Sequence, residues 1–152
     1  MPFTIIDEGD GLLVPLTGFA VPYEFVEIAE ATAAHPGRER HAYHIFDFSG
    51  IDGDALFALT EAIGAGHAAR SREIFGDRPN PRMTALVSPN TKMQTVFRAF
   101  IDVVDAHVLP GVIVRREVEA FEVLEAGFVS AKETRHSVSP CSTAKTIVAS
   151  AR

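Results

Sequence analysis

The segment Arg82–Val104, RMTALVSPNTKMQTVFRAFIDVV, holds the pattern that decides the fold. Its first part is a short apolar run with the length and composition typical of a strand. Its second part repeats apolar residues at helical spacing, namely Met93, Val96, Phe97, Phe100, Ile101 and Val104. Ser88 followed by Pro89, or Asn90 alone, can cap the start of this helix. The segment therefore predicts a buried strand followed directly by a helix whose apolar stripe belongs to the core.

A hairpin, a helix and another buried strand precede this unit. The runs FTIID and LLVPLTG predict two short strands, because Gly9 and Gly11 in the connecting EGDG can supply the positive φ of a tight turn. Pro22 suits the first turn of a helix that His35–Gly37 ends. The run HAYHIFDF, His41–Phe48, is too short for a typical helix and too continuously apolar for a half-exposed strand. It predicts a strand that is covered on both faces.

Two more helices and a last strand complete the pattern. An acid-rich turn, SGIDGD at residues 49–54, follows the strand that ends at Phe48, and the residues after it predict a helix that Asp52 or Asp54 caps and Gly76 ends. PGVIVR predicts the last strand, and the final helix has an apolar stripe of Val118, Phe121, Leu124 and Phe128. The order ββαβαβαβα predicts one α/β domain over residues 1–131, with a mixed, mostly parallel sheet and helices packed on it. The small and polar residues 132–152 predict a flexible C-terminal tail.

Composition limits the class of protein. Of 152 residues, 47% are hydrophobic and 22% are charged, as in an ordinary globular domain. The net charge of −6 opposes binding to nucleic acid. Cys141 is the single cysteine and cannot form an internal disulfide. Met1–Asp10 lacks the features of a secretory signal, and no run approaches the ~20 apolar residues of a membrane span. We therefore expect a cytoplasmic protein without an integral membrane segment.

No metal, cofactor or catalytic residue is predicted. None of the six histidines shows the H-E-x-x-H spacing of a zinc site. His41 and His44, three residues apart on a predicted strand, are expected on opposite faces of the sheet. The segment SGIDGDAL has no lysine of a phosphate-binding loop, and Ser49 lacks the G-x-S-x-G context of a serine hydrolase.

The element order, with FDFSGI and RMTALVSPN each leading into a helix, resembles the SpoIIAA-like and STAS-like domains. The resemblance covers about Phe3–Ala131, and ALVSPNTKMQTVFRAF followed by a strand and EAFEVLEA looks most like an uncharacterised bacterial SpoIIAA-like group. It implies the fold. In regulatory members of the family, a serine after the strand that corresponds to IFDFSGI is phosphorylated to control partner binding. Here DGDAL follows Ile51 without a serine, so the resemblance does not imply this switch.

Polar side chains follow two strands that are predicted to be neighbours. In open α/β sheets, ligands bind at the carboxyl ends of the strands. A partner- or ligand-binding site at this edge would contain Asp47, Ser49, Asp52, Asp54, Ser88, Asn90 and Lys92. The alternative is that these residues bond turn backbone groups and cap two helices.

Gly64 and Gly66 lie inside the predicted helical segment AIGAGHAAR. Each costs about 1 kcal/mol relative to alanine in a helix interior, so a compensating role is expected. Small residues there permit close packing against a neighbouring element, or they leave room for an apolar ligand.

Three functions are compatible with the sequence. The leading hypothesis is a non-catalytic domain that binds a partner protein or forms a homodimer. The second is a carrier for a small apolar ligand or lipid, with a pocket near Gly64 and Gly66. The third is a hydrolase-like enzyme that uses Asp47 and Asp54.

Overall fold

A computed structural model describes residues 3–18, 22–53, 59–76, 81–104 and 111–134, with side chains in the last range to residue 126. The elements are β1 (Ile6–Asp7), β2 (Gly11–Gly18), α1 (Pro22–Ala33), a 3₁₀ turn (Arg38–Arg40), β3 (Tyr43–Ile51), α2 (Glu61–Phe75), β4 (Met83–Val87), α3 (Thr91–Val103), β5 (Gly111–Val114) and α4 (Glu117–Thr134). Their order confirms the predicted ββαβαβαβα pattern. The predicted tail lies outside the described residues, except that α4 continues three residues past residue 131.

The five strands form one sheet in chain order, β1-β2-β3-β4-β5. β1 is antiparallel to β2, and the other neighbouring pairs are parallel. Parallel strands joined by a helix are almost always connected with a right-handed crossover. Because successive parallel strands always advance in the same direction, the three connecting helices lie on one face of the sheet. α4 follows the last strand and covers the other face.

Two hydrophobic clusters occupy the two faces. Leu12, Val14 and Leu16 of β2 point to the face that carries α1, α2 and α3. On the opposite face, buried side chains of β3, β4 and β5 pack against Ala120 and Leu124 of α4. β4 is buried along its whole length, as expected of a strand covered on both sides. The prediction of a mixed, mostly parallel sheet with helices packed on it is thus confirmed.

The start of α2 differs from the prediction. β3 continues to Ile51, where its last residues pair with β2, and Asp52 donates its backbone N–H to Gly18 O at 3.0 Å. The helix begins at Glu61, and Thr60 Oγ1 accepts the N–H of Ile63 at 3.4 Å as its cap. Asp52 as the cap is therefore wrong, because the strand is longer and the helix starts later. Asp54 lies outside the described residues.

The sequence also made predictions for the two glycines of the first hairpin, for the cap of α3 and for the apolar stripe of α3. Gly9 has the predicted positive φ, but Gly11 does not; its missing Cβ instead leaves room for the Tyr43 ring. Asn90, not Ser88, caps α3 by accepting the N–H groups of Lys92 and Met93. The predicted stripe of α3 is buried throughout.

The predicted stripe of α4 is partly wrong. Val118 is 52% exposed, whereas Ala120 and Leu124 are buried and Phe121 packs against them. The small side chain of Ala120 faces the sheet. The buried face of α4 is therefore rotated about the helix axis relative to the predicted stripe of larger apolar residues. The side chain of Phe128 lies outside the described part of the chain.

Among the helices that the structure describes, none combines the length and the apolar character needed to cross a membrane.

The two glycines of α2 have different surroundings. A Cβ built on Gly64 would overlap the carbonyl oxygen of Val96 in α3 and lie 3.2 Å from its Cγ1. Gly64 therefore lets the two helices meet at backbone distance. Gly66 is exposed, and a Cβ there would meet nothing within 4 Å. Close packing thus explains Gly64 but not Gly66.

Because the two glycines differ in this way, their alanine substitutions form a matched pair of variants. We expect Gly64→Ala to destabilise the fold by about 1–3 kcal/mol, because the new methyl group overpacks the α2–α3 contact. Gly66→Ala should stabilise it by about 0.5–1 kcal/mol, since it removes only the entropic cost of glycine in a helix. Urea denaturation measures both. Equal effects of the two substitutions would contradict this account of Gly64.

Candidate functional site

A cavity of about 70 Å³ lies between the sheet and the layer of α1, α2 and α3. Its wall is largely aromatic and aliphatic, and includes Phe25, Ile28, Phe46, Phe48, Phe97 and Phe100. Gly64 also lines it, so the close contact between α2 and α3 forms part of its roof. The wall contains no Asp, Glu, Lys or Arg from the described residues. The cavity is therefore an apolar, uncharged chamber in the core.

Two polar side chains form the floor of the cavity. His44 of β3 and Thr84 of β4 are partners in the strand register, so their side chains lie side by side on the same face. They are 1% and 0% exposed. His44 Nε2 and Thr84 Oγ1 have no hydrogen-bond partner among the described residues. An apolar floor would be expected on a strand covered by helices, so this pair is unusual.

A second histidine lies in the roof. The His67 ring of α2 stacks on Phe100 with centroids 5.4 Å apart and lies 5.7 Å from the Phe25 ring. Its Nε2 is 3.4 Å from Ser71 Oγ, one helical turn further along. Its Nδ1 is buried and has no partner in the described part of the chain. Three unpartnered polar atoms thus belong to residues of the cavity wall, two in the floor and one in the roof.

Burial determines the protonation of both histidines. It lowers the pKa of His67 to about 4. It also lowers the pKa of His44 to about 3, with smaller contributions from the positive charges of His41, Arg38 and His35. Both rings are neutral near pH 7. A neutral imidazole has one N–H donor and one nitrogen acceptor, so each ring can either donate or accept.

The predicted site residues after β3 are used locally. Asp47 Oδ1 accepts the N–H of Ser49 at 2.8 Å, beside the irregular register between β2 and β3. Asp47 alternates with Phe46 and Phe48, which line the cavity, so it points to the opposite face. There its negative charge adds to burial in raising the pKa of Glu117. Asp52 does not line the cavity, and Asp54 lies outside the described residues.

The predicted site residues after β4 serve the start of α3. Ser88 is buried, and its Oγ accepts the N–H of Asn90 at 3.2 Å. Its carbonyl oxygen accepts the side-chain N–H of Gln94 at 2.8 Å. Lys92 is exposed, and its N–H bonds the Asn90 cap. The turn-and-cap interpretation therefore accounts for the described contacts of Ser88 and Asn90.

Sequence reasoning missed the residues that carry polarity in the cavity. His44, His67, Ser71 and Thr84 come from two strands and one helix, and no local motif joins them. A signal was nevertheless present, since α2 places Gly64, His67 and Ser71 on one face at helical spacing. A helix face with so few large apolar residues cannot fill a core by itself.

His41 also differs from its prediction. It precedes β3 rather than lying in it, and its ring meets the His44 ring edge-on with centroids 5.5 Å apart. The alternation rule that separated the two histidines therefore does not apply. His41 is 5% exposed and lies close to His35 and to Asp7 of β1.

Comparisons of the chain with protein families, with curated proteins and with solved structures find no match.

The depressed pKa of His67 predicts a pH dependence of stability. An unfolded chain protonates this ring near pH 6.5, whereas the folded chain resists protonation until about pH 4. Below about pH 6.5 the unfolded state binds more protons, so the free energy of unfolding falls as the pH falls toward 4. We expect His67→Gln to reduce the slope over this range by up to about 1.4 kcal/mol per pH unit. Urea denaturation between pH 7.5 and 4.5 measures this, and parallel curves for both proteins would refute it.

Proposed function

We propose that this chain is a binding domain for a small, uncharged, mostly apolar molecule, held in the cavity between the sheet and its three connecting helices. The observation that carries the proposal is the group of unpartnered polar atoms on His44, His67 and Thr84 in an apolar wall. Buried polar atoms nearly always have a partner, and each one left without costs about 1–3 kcal/mol. A ligand with a hydrogen-bonding group supplies the missing partners.

The volume limits the ligand. An apolar cavity of about 150 Å³ accepts benzene in another protein, whereas one water needs about 10–15 Å³. The present cavity, at about 70 Å³, suits a molecule smaller than benzene or a ring that spreads the helices slightly. A drug-sized ligand fills about 300–1,000 Å³ and would need a much larger opening.

The composition of the wall also excludes charged ligands. A buried ion requires a partner of opposite charge, and the described wall offers none. The neutral His67 ring accepts or donates one hydrogen bond. An alcohol, phenol or amide therefore fits this chemistry, whereas a carboxylate or an ammonium group does not.

Binding without catalysis agrees best with the polar groups. Ser71 and His67 resemble a serine nucleophile and its histidine base. In such sites, however, a third group orients the base. The Nδ1 atom of His67 has no such partner among the described residues. A hydrolase that uses Asp47 is less well supported, because this carboxylate bonds its own strand and points away from the cavity.

The SpoIIAA-like resemblance is compatible with this proposal, which rests on the cavity and the polar residues in its wall. Action through a protein partner or a homodimer, favoured by the sequence, stays a prediction. Of the acids at and after the end of β3 on which it depended, Asp47 already accepts the N–H of Ser49 with its carboxylate. The cavity therefore makes the small-ligand hypothesis the stronger of the two.

The proposal predicts that one substitution raises the stability of the ligand-free protein and lowers its affinity for ligand. Thr84→Val keeps the shape of the side chain but removes the unpartnered Oγ1. It should stabilise the ligand-free protein by about 1 kcal/mol and weaken ligand binding. Thr32→Val is the matched control, because Thr32 is also fully buried with an unpartnered Oγ1 but does not line the cavity. It should stabilise the fold in the same way without changing the affinity.

Small probe molecules can test the ligand class directly. We expect phenol and cyclopentanol to raise the melting temperature more than benzene and cyclopentane, since only the first pair offers a hydroxyl group. Benzoate should give no shift, because the cavity has no cation. Native mass spectrometry of the gently purified protein should show a bound small molecule. Equal shifts with hydrocarbon and alcohol, or no loss of affinity in Thr84→Val, would contradict the proposal.

A further inference from the structure

A group of three potential ligands lies at the amino ends of β2 and β3, apart from the cavity. Asp7 comes from β1, His35 from the turn after α1, and His41 from the residues before β3. One side-chain ligand atom from each lies within 4.8 Å of the other two. Two imidazoles and one carboxylate are the ligand types that a divalent transition metal prefers.

The distances suit a single ion. Metal–ligand bonds of 2.0–2.2 Å in a tetrahedral site separate the ligand atoms by about 3.4 Å. His41 Nε2 lies 3.5 Å from Asp7 Oδ1, and His35 Nε2 lies 3.9 Å from Asp7 Oδ2. Small side-chain movements would therefore bring three ligands to one ion. Such a site has three protein ligands and an open fourth position.

His41 provides the second, independent observation. Its side chain is completely buried, and neither ring nitrogen forms a hydrogen bond within the described residues. The 3.5 Å approach to Asp7 is not aligned as a hydrogen bond. A buried imidazole without a well-aligned hydrogen bond at either nitrogen is costly, and a cation held between Nε2 and the Asp7 carboxylate would remove part of that cost. Asp7 and His35 are partly exposed, so an ion can reach the site from solvent.

Gly37 leaves the space in which the ligands meet. A Cβ built on this residue would lie 3.0 Å from both Asp7 Oδ2 and His41 Nε2. Its φ of −84° is ordinary for any residue, so the backbone does not require glycine here. The missing side chain instead keeps the ligand cluster open.

Two features weaken the site without blocking it. The Gly37 N–H donates to His35 Nδ1 at 3.2 Å, which places the ring proton on Nε2. This hydrogen bond, with a net value of about 1 kcal/mol, must open before Nε2 can bind a metal. The Arg40 guanidinium approaches the same space, and its positive charge opposes a cation. Arg40 is exposed and can turn into solvent.

We propose that Asp7, His35 and His41 form a binding site for a divalent transition-metal ion of the Zn²⁺ type, with water in the open position. Ca²⁺ and Mg²⁺ are poor candidates because they require several oxygen ligands. The site shares no residue with the cavity wall, although the His41 ring contacts the His44 ring, so this proposal and the proposed function can fail independently.

Zinc titration of the untagged full chain by calorimetry tests the proposal. One ion should bind per chain, and Co²⁺ should give the visible absorption of a tetrahedral site. Asp7→Asn keeps the Oδ1 atom that accepts the Gly9 N–H at 2.8 Å, so the variant should fold. It should bind zinc at least about tenfold more weakly. Asp10→Asn removes the same charge from the turn that follows β1 and should change the affinity by less than about twofold.

Two further variants separate this site from adventitious binding. Gly37→Ala should weaken zinc binding by a similar factor while the metal-free melting temperature changes little. Arg40→Gln should strengthen it, because a nearby positive charge is removed. If Asp7→Asn and Gly37→Ala bind zinc as tightly as the parent chain, the ion is held by other histidines or Cys141 and the proposal is wrong. A parent chain that binds no zinc overturns it equally.

Discussion

The absence of a side chain at residue 64 determines how α2 meets α3, and the candidate site depends on that contact. The carbonyl oxygen of Val96 fills the space that a Cβ would need, so the two helices touch through their backbones. The same face of α2 then places His67 and Ser71 in the wall of the cavity. With so little apolar volume on this face, the helix layer and the sheet leave a chamber between them. A larger residue at position 64 would displace the roof of that chamber.

Long apolar patterns in the sequence predicted the fold well. The stripe of α3 and the continuously apolar runs of β3 and β4 depend on burial alone, which sequence periodicity reports directly. The start of α2 could not be fixed in this way. Asp52, Asp54 and Thr60 are all chemically able to cap a helix, and the choice among them depends on how far β3 continues beside β2. That length is set by pairing between distant segments.

The polar residues of the cavity were harder to predict for a similar reason. His44 and Thr84 become neighbours only through the register of β3 and β4. The cluster of Asp7, His35 and His41 joins three segments that are separate along the chain. Spacing rules for metal sites describe ligands on one helix or loop, so they do not detect a site assembled by tertiary structure. Gly37 was interpreted only as part of the end of α1, because the space that it leaves for Asp7 and His41 exists only in the folded chain.

The edges of the sheet affect how the chain meets other copies of itself. β5 forms one edge and has four residues, and β1 has two residues at the other. Among the described strands β5 pairs on one side only, and at about 3.3 Å per residue it is about 13 Å long. Long, flat edge strands are the usual starting points for fibrous aggregation, and natural sheets often shorten them. In this chain the long strands lie inside the sheet, where β3 pairs on both sides and β2 pairs with β3 and, over part of its length, with β1. Few backbone groups of a long strand are therefore left to recruit another chain.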